Sequence, residues 1–291
     1  MSRFQGIAFL ALTMLLTVDG AGAETVQLVV NGKERTALLE QPTGQGPRPT
    51  IIVLHGLGGT AAAFAQQTGL GQLGPRSGFV SVFPQAVGSR WNAYPPGKET
   101  AQFIQYFRQY GGVPNDVAFF KTLVADLVRR GISDPKRIYL AGRSAGGFMT
   151  LRMACVEPAM FAAIGVFIGA MGDPTGEDCH PAKPLPALLI NATADKLVPY
   201  EGGAVTSSTN TYSIWSTQKL VAFLRKLNGC TEAAQQSVLP GQHPKRIEIE
   251  SSTKCTGGPV ILYRIVDGGH EVPPSLNAGQ LLIDFFGDKV R

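Results

Sequence analysis

Apolar positions along this chain fall into short unbroken runs, separated by longer stretches in which they recur at helical spacing. Residues 50–54, 79–83, 137–141, 164–167, 187–191 and 260–266 are the runs, rich in Ile, Val, Leu, Phe and Tyr. Runs of this length and composition read as strands buried on both faces, which is how parallel strands sit. Between them, Val117, Phe120, Leu123, Val124 and Leu127 follow i, i+3, i+4 spacing after Asn115, a favourable N-cap, and the pattern stops at Gly131. Leu220, Phe223, Leu224 and Leu227 repeat it ahead of Gly229, and residues 61–67 and 281–286 add shorter helical segments. The alternation predicts an α/β fold, a mostly parallel central sheet with helices on both faces. Residues 25–30 and 35–40 depart from it. They are joined through Asn31-Gly32, which suits the positive φ angles of a tight hairpin, so the sheet is expected to begin antiparallel.

Two stretches fit neither pattern. Residues 1–23 open with Met1-Ser2-Arg3, run apolar to about Val18 and end in Ala21-Gly22-Ala23. A basic start, a short apolar run and a small-x-small end predict a secretory signal peptide cleaved after Ala23, leaving residues 24–291 as one domain. The alternative, a membrane anchor, calls for about 20 apolar residues. This run is shorter and is interrupted by Asp19-Gly20. The mature chain is therefore expected to be secreted or periplasmic, with no stable membrane anchor. Residues 84–113 form the second stretch, rich in Gly, Pro and aromatics, with Trp91, Tyr94, Phe103, Tyr106, Phe107 and Tyr110. Disordered segments are poor in aromatics, so an ordered loop is expected. Its aromatics, Trp91 and Tyr94 in particular, either shape a substrate cleft or pack the loop down.

Cysteine count and charge narrow the picture further. Four cysteines, Cys155, Cys179, Cys230 and Cys255, lie in a chain bound for an oxidising compartment, which favours disulfides over free thiols. The arrangement most local in sequence pairs Cys155 with Cys179 and Cys230 with Cys255. No C-x-x-C pair suggests a metal, and no cofactor is expected. The formal charge of +5 is dispersed, with no basic stripe interleaved with aromatics, so nucleic acid is not an expected partner.

The candidate chemistry begins at Gly142-Arg143-Ser144-Ala145-Gly146, where a strand-like run breaks into Gly-x-Ser-x-Gly and a helix follows. In such a turn the serine is held strained with its hydroxyl exposed, and small neighbours permit the close approach. Ser144 is the candidate nucleophile. A serine hydroxyl needs a base, and an imidazole base needs an orienting acid. Of four histidines, His270 alone follows a core strand through a glycine turn; His55, His180 and His243 read as structural. Asp195, just past the run 187–191, is the preferred acid, with Asp267 as competitor. The order Ser144, Asp195, His270 is that of the α/β-hydrolases. Two backbone amides are expected to hold the oxyanion: Ala145, at the start of a helix, and Leu57, in the loop His55-Gly56-Leu57-Gly58-Gly59 after the first parallel strand.

These motifs carry a resemblance. Leu54-His55-Gly56-Leu57-Gly58-Gly59, Asn115-Asp116-Val117, Asp134-Pro135-Lys136-Arg137-Ile138-Tyr139, Gly142-Arg143-Ser144-Ala145-Gly146-Gly147, Ala194-Asp195-Lys196-Leu197-Val198-Pro199-Tyr200, Asn228-Gly229-Cys230 and Gly268-Gly269-His270 run in order across the chain. Together they resemble the secreted esterases that include polyhydroxybutyrate depolymerases and feruloyl or acetylxylan esterases, within the α/β-hydrolases. The resemblance implies a serine esterase acting through an acyl-enzyme on small or oligomeric esters: hydroxyalkanoate oligomers, or feruloyl or acetyl esters. Asn191 stands where similar proteins often carry His-Gly. The chain also ends soon after His270, without the linker and polymer-binding module that extracellular polyester depolymerases often append, so the resemblance does not extend to efficient attack on solid polymer. A secreted acyltransferase of the same fold and a non-catalytic hydrolase-like binding protein are the alternatives.

Overall fold

The structure, a computed structural model, describes residues 23–207, 210–240 and 245–291. The signal-peptide expectation for residues 1–23 thus lies outside the described residues except for Ala23, and His243 lies outside them as well. The chain opens with β1 (Ala23–Val30) and β2 (Lys33–Glu40), then β3 (Arg48–Leu54), α1 (Ala61–Thr68), α2 (Leu70–Arg76) and β4 (Val80–Pro84). Next come α3 (Ala101–Phe107), α4 (Asp116–Arg129), β5 (Ser133–Arg143), α5 (Ala145–Val156), β6 (Ala163–Phe167), α6 (Asp173–Glu177) and β7 (Ala187–Ala192). A hairpin of β8 (Gly203–Ser207) and β9 (Asn210–Ile214) precedes α7 (Thr217–Leu227), and β10 (Gln235–Val238), β11 (Ile247–Ser252), β12 (Val260–Ile265) and α8 (Ala278–Phe286) complete the described elements.

Ten strands form one sheet in the order β1-β2-β4-β3-β5-β6-β7-β12-β11-β10, while β8 and β9 pair apart from it. From β4 to β12 every neighbour is parallel, and antiparallel strands extend both edges. The parallel strands were expected from their continuous apolar runs, and the pleat sends alternate residues to opposite faces. Ile52, Leu54, Leu140, Val166 and Leu189 meet α4, α5 and α7 on one face. Ile51, Val53, Tyr139, Ala141 and Ile190 meet α1, α2 and α8 on the other. The opening hairpin turns at Asn31 and Gly32, with φ of 51° and 76°, as the Asn-Gly dipeptide requires.

α4 is capped by Asn115, whose side chain accepts from the Ala118 amide, and it buries Phe119, Phe120, Leu123 and Leu127. Each such side chain contributes about 1.5–3 kcal/mol on removal from water. At the helix start, Asp116 accepts from Arg35 of β2 at 2.6 Å in a buried ion pair and from the backbone amide of Asn92 at 2.6 Å. One carboxylate therefore ties the sheet edge, a core helix and the segment after β4 together.

That segment, residues 84–113, is not the unbroken loop its irregular pattern suggests. Thr100 caps α3, which buries Phe103 and Phe107 one turn apart. Seven residues make fewer than two turns, too few for a period to stand out from the Gly/Pro background. Two disulfides join Cys155 to Cys179 and Cys230 to Cys255. The first fastens the end of α5 to the chain just after α6. Asn191, formally within a glycosylation sequon, is buried on β7, where it bonds Gly169 and Thr217.

Candidate active site

Parallel strands end on one side of the sheet, so whatever follows β3, β5, β7 and β12 meets at one edge. β3 runs into the glycine loop 55–59, β5 into Ser144, β7 into Asp195 and β12 into His270. Backbone bonds tie the last two turns together, from the Ala194 amide to the Gly268 carbonyl at 2.9 Å and from the Asp267 amide to Thr193 Oγ1 at 2.8 Å.

Ser144 has φ 53° and ψ −120°, a conformation that costs energy for any residue with a side chain. The surroundings hold it there. Its amide donates to the Phe167 carbonyl at 2.9 Å. A Cβ on Gly142 would lie 2.2 Å from the Gly146 carbonyl oxygen, and one on Gly146 would lie 2.3 Å from that of Leu54. The flanking glycines are thus required by close packing of β5, α5 and β3, while the left-handed φ falls on the serine itself.

The geometry brings the three sequence-selected side chains into one hydrogen-bonded line. Ser144 Oγ lies 2.9 Å from His270 Nε2, and His270 Nδ1 lies 2.7 Å from Asp195 Oδ2. Asp195 Oδ1 accepts from the amides of Leu197 and Val198 at 2.8 and 2.9 Å. Burial pushes this carboxyl upward, but the bonds from His270, Val198 and Leu197 outweigh it and hold Asp195 below its ordinary value. Asp267 sits apart as an exposed turn residue with φ 54°.

His55 has a structural place. It is buried, its Nε2 accepts from the Ala86 amide at 3.2 Å, and its Nδ1 meets the Gly56 carbonyl at 2.8 Å. The Ala86 donor fixes Nε2 as acceptor, so Nδ1 carries the proton and donates to Gly56. Burial lowers the His55 pKa, with the Gly56 bond pulling the other way. A neutral imidazole therefore pins the glycine loop from below. His180 is exposed near the Cys155–Cys179 bridge, away from this line.

Ser144 and His270 open into a cavity of about 460 Å³, within the size range of small-ligand sites. Leu57 and Ala145 line it too; Ala145 is the first residue of α5, where amides have no intrahelical acceptor. Trp91 and Tyr94, both expected at a cleft, also line it, but Trp91 is buried and works largely as a strut. Its indole N–H donates to the His55 carbonyl at 2.9 Å, and its ring packs on His55 and Phe120. Tyr94 packs edge-on against Phe103, which joins the wall.

The opposite rim escaped sequence reading. The β8–β9 hairpin supplies Val205, Thr206 and Tyr212, and Tyr212 packs edge-on against Phe148 of α5. Burial pushes the Tyr212 hydroxyl up to about 12, so it stays protonated. Its strands carry Gly, Ser, Thr and Asn in place of an apolar run, which is why the pattern gave no signal. Among the described residues, no cluster of His, Cys, Asp and Glu could hold a metal ion, and no helix is long and apolar enough to cross a membrane.

A sheet of this topology, with a serine elbow after β5 and an acid and histidine after later strands, defines the α/β-hydrolase fold. Residues 37–179, just under half of the chain, match the family described as Esterase PHB depolymerase, and the proteins the chain is similar to are carboxylic ester hydrolases. Ser144 lies inside the matched stretch; Asp195 and His270 lie beyond it. Among similar proteins, the esterase NocK of Nocardia uniformis subsp. tsuyamanensis is 27% identical over 85% of this chain and 73% of its own length. Feruloyl esterase B of Piromyces equi is 27% identical over 78% of this chain but 40% of its own length. The poly(3-hydroxybutyrate) depolymerase of Ralstonia pickettii is 29% identical over 48% of this chain and 30% of its own. The chain thus spans less than half of the latter two. Among solved structures, an acetyl xylan esterase from Aspergillus awamori shares the fold with a TM-score of 0.63 at 16% identity, covering 91% of this chain and 99% of that one.

Proposed function

We propose that this chain is a secreted serine esterase in which residues 24–291 form the catalytic domain and residues 1–23 a cleaved signal peptide. The observation that carries the catalytic reading is the unbroken line from Ser144 Oγ through both nitrogens of His270 to Asp195. With Nδ1–H donated to Asp195, Nε2 is free to accept the Ser144 proton as the hydroxyl attacks an ester carbonyl. Asp195, held ionised by its three donors, supports the positive charge that His270 gains. The oxyanion is received by the amides of Leu57 and Ala145, each such donor being worth about 3 kcal/mol of barrier. His270 then protonates the departing alcohol, and water activated by the same nitrogen hydrolyses the acyl-enzyme.

Two disulfides support an oxidising compartment. The names of the relatives support carboxylic esters of hydroxyalkanoate, feruloyl or acetyl type as substrates. A cavity of about 460 Å³ suits a short oligomer or a single aromatic ester. The test is hydrolysis of p-nitrophenyl butyrate by the purified mature chain and its Ser144→Ala variant. The reading requires the variant to lose activity while its circular dichroism is unchanged; a folded variant that retains wild-type turnover would overturn it.

A further inference from the structure

The β8–β9 hairpin stands apart from the main sheet, yet it is fastened beside Ser144. Ile214 bridges to Gly172, and the Trp215 amide donates to the Met171 carbonyl at 2.9 Å. Val205 and Ile214 of the hairpin are buried with Ala170 and with Val198 of the Asp195 turn, in a cluster separate from the two faces of the sheet. Tyr212 and Phe148 pack against that cluster and line the cavity, their rings edge-on with centroids 5.8 Å apart. Phe148 lies about one helical turn after Ser144, so the Tyr212 ring stands beside the first turn of the helix that the nucleophile leads.

Two other polar groups of the wall are spent on protein partners. The Trp91 indole donates to the His55 carbonyl, and the Thr175 hydroxyl donates to the Ala93 carbonyl at 2.7 Å. The half-buried Tyr212 hydroxyl, by contrast, has no hydrogen-bond partner among the described residues. Tyr94, on the facing wall, acts on it electrostatically, which places its oxygen toward the cleft and away from the apolar cluster behind the ring. Burial, reinforced by Tyr94, keeps the hydroxyl protonated, and a neutral phenol both donates and accepts. A ligand that covers this hydroxyl must meet it with a polar atom or leave it unsatisfied, and a site of that kind discriminates against the analogue lacking the atom.

We infer that Tyr212 is a specificity-determining residue, its hydroxyl bonding an uncharged oxygen carried on the acid half of the ester. This inference rests on the esterase reading and narrows it. A hydroxyalkanoyl group carries a hydroxyl or a second ester oxygen, and a feruloyl group carries a phenol and a methoxy oxygen. An acetyl group has no oxygen beyond its scissile ester. The cleft therefore favours the first two over the third, with Val205 and Phe148 receiving the hydrocarbon that joins the ester to that oxygen.

The test uses two matched pairs, each differing in the oxygen substituents of the acid: p-nitrophenyl 3-hydroxybutyrate against p-nitrophenyl butyrate, and methyl ferulate against methyl cinnamate. Tyr212→Phe keeps the ring on Phe148 and removes only the hydroxyl. In this variant the kcat/KM ratio of oxygen-bearing to plain ester should fall about 5- to 50-fold in at least one pair, and the pair that responds identifies the acid. A purely structural role for Tyr212 would move both members of a pair together. Ratios within about twofold of wild type in both pairs therefore overturn the inference. A second readout does not depend on turnover: calorimetric titration of methyl 3-hydroxybutyrate and methyl ferulate into Ser144→Ala, with and without Tyr212→Phe. Binding of either ester that weakens with Tyr212→Phe supports the contact, and indistinguishable titrations refute it. Hydrolysis of none of the four esters by wild type, alongside Tyr212-dependent binding, would remove the esterase reading and leave the contact. Hydrolysis of the esters with ratios that do not respond to Tyr212→Phe would do the reverse.

Discussion

Replacing Asp116 by alanine should be among the most damaging changes outside the proposed catalytic line. Its Oδ1 accepts from Arg35 Nη2 at 2.6 Å and its Oδ2 from the Asn92 amide at 2.6 Å, and the two charged side chains are 0% and 3% exposed. Removing the carboxylate leaves a guanidinium sealed from water with only a 3.4 Å bond to the Gln85 carbonyl and the Phe119 ring at 3.9 Å. Arg35 Nε already has no partner. Breaking a buried pair from one side costs about 3–5 kcal/mol, against a total stability of roughly 5–15 kcal/mol for a domain. The residual contacts place the loss near the lower end of that range. Urea unfolding of Asp116→Ala should therefore show a lower midpoint with little change in slope.

The companion variant separates charge from packing. Arg35→Met combined with Asp116→Leu removes both charges and keeps the volume filled, and should recover stability to within about 1 kcal/mol of wild type. It should not restore the acceptor for Asn92, the neighbour of Trp91 in the cleft wall, so KM should stay raised in both variants. A loss below about 1 kcal/mol in Asp116→Ala, or a double variant as unstable as the single one, would refute the reasoning.

Two further outcomes follow from the glycine loop and the elbow. Because burial lowers the His55 pKa below its ordinary 6.5, the unfolded chain binds the extra proton first as pH falls, so stability should decline as pH drops through about 6.5. Urea midpoints measured from pH 7.5 down to about 5.5 check this, and a flat profile contradicts it. In Gly146→Ala the new Cβ would lie 2.3 Å from the Leu54 carbonyl oxygen and 2.8 Å from that of His55, forcing β3 and α5 apart beside Ser144. A shift of about 1 Å at the reacting centre lowers kcat about 100-fold, and an unchanged kcat would show that the elbow tolerates the displacement.

Much of this was legible in the sequence because the central strands are buried on both faces. Their runs of Ile, Val and Leu cannot be mistaken for solvent-facing segments, and each announces the loop at its end. Ser144, Asp195 and His270 are picked out by that logic, and the structure brings their side chains into one hydrogen-bonded line. The choice between Asp195 and Asp267 turned on strand ends, and the observed bond from His270 goes to Asp195.

Elements that border the site were harder to read because little in them is hydrophobic. β10 is exposed at every position, so no alternation marks it, and the sheet extends past β12 without a signal. The β8–β9 hairpin likewise hides in a polar tract. The aromatics of residues 84–113 divide between tasks that the sequence cannot separate: Trp91 braces His55, Tyr94 and Phe103 face the cavity, and Tyr106 supports Arg90. The Arg35–Asp116 pair joins residues 81 positions apart, a contact that local pattern does not encode.

The central claim is covalent catalysis at Ser144, and the most direct test is to catch the acyl-enzyme. Wild-type protein mixed with p-nitrophenyl butyrate, acid-quenched within the first turnover and digested, should yield the peptide containing Ser144 with the mass of one added butyryl group. The same treatment of Ser144→Ala should yield none. A butyryl group on another residue, or turnover of the ester with no acylated peptide at any quench time, would contradict the account.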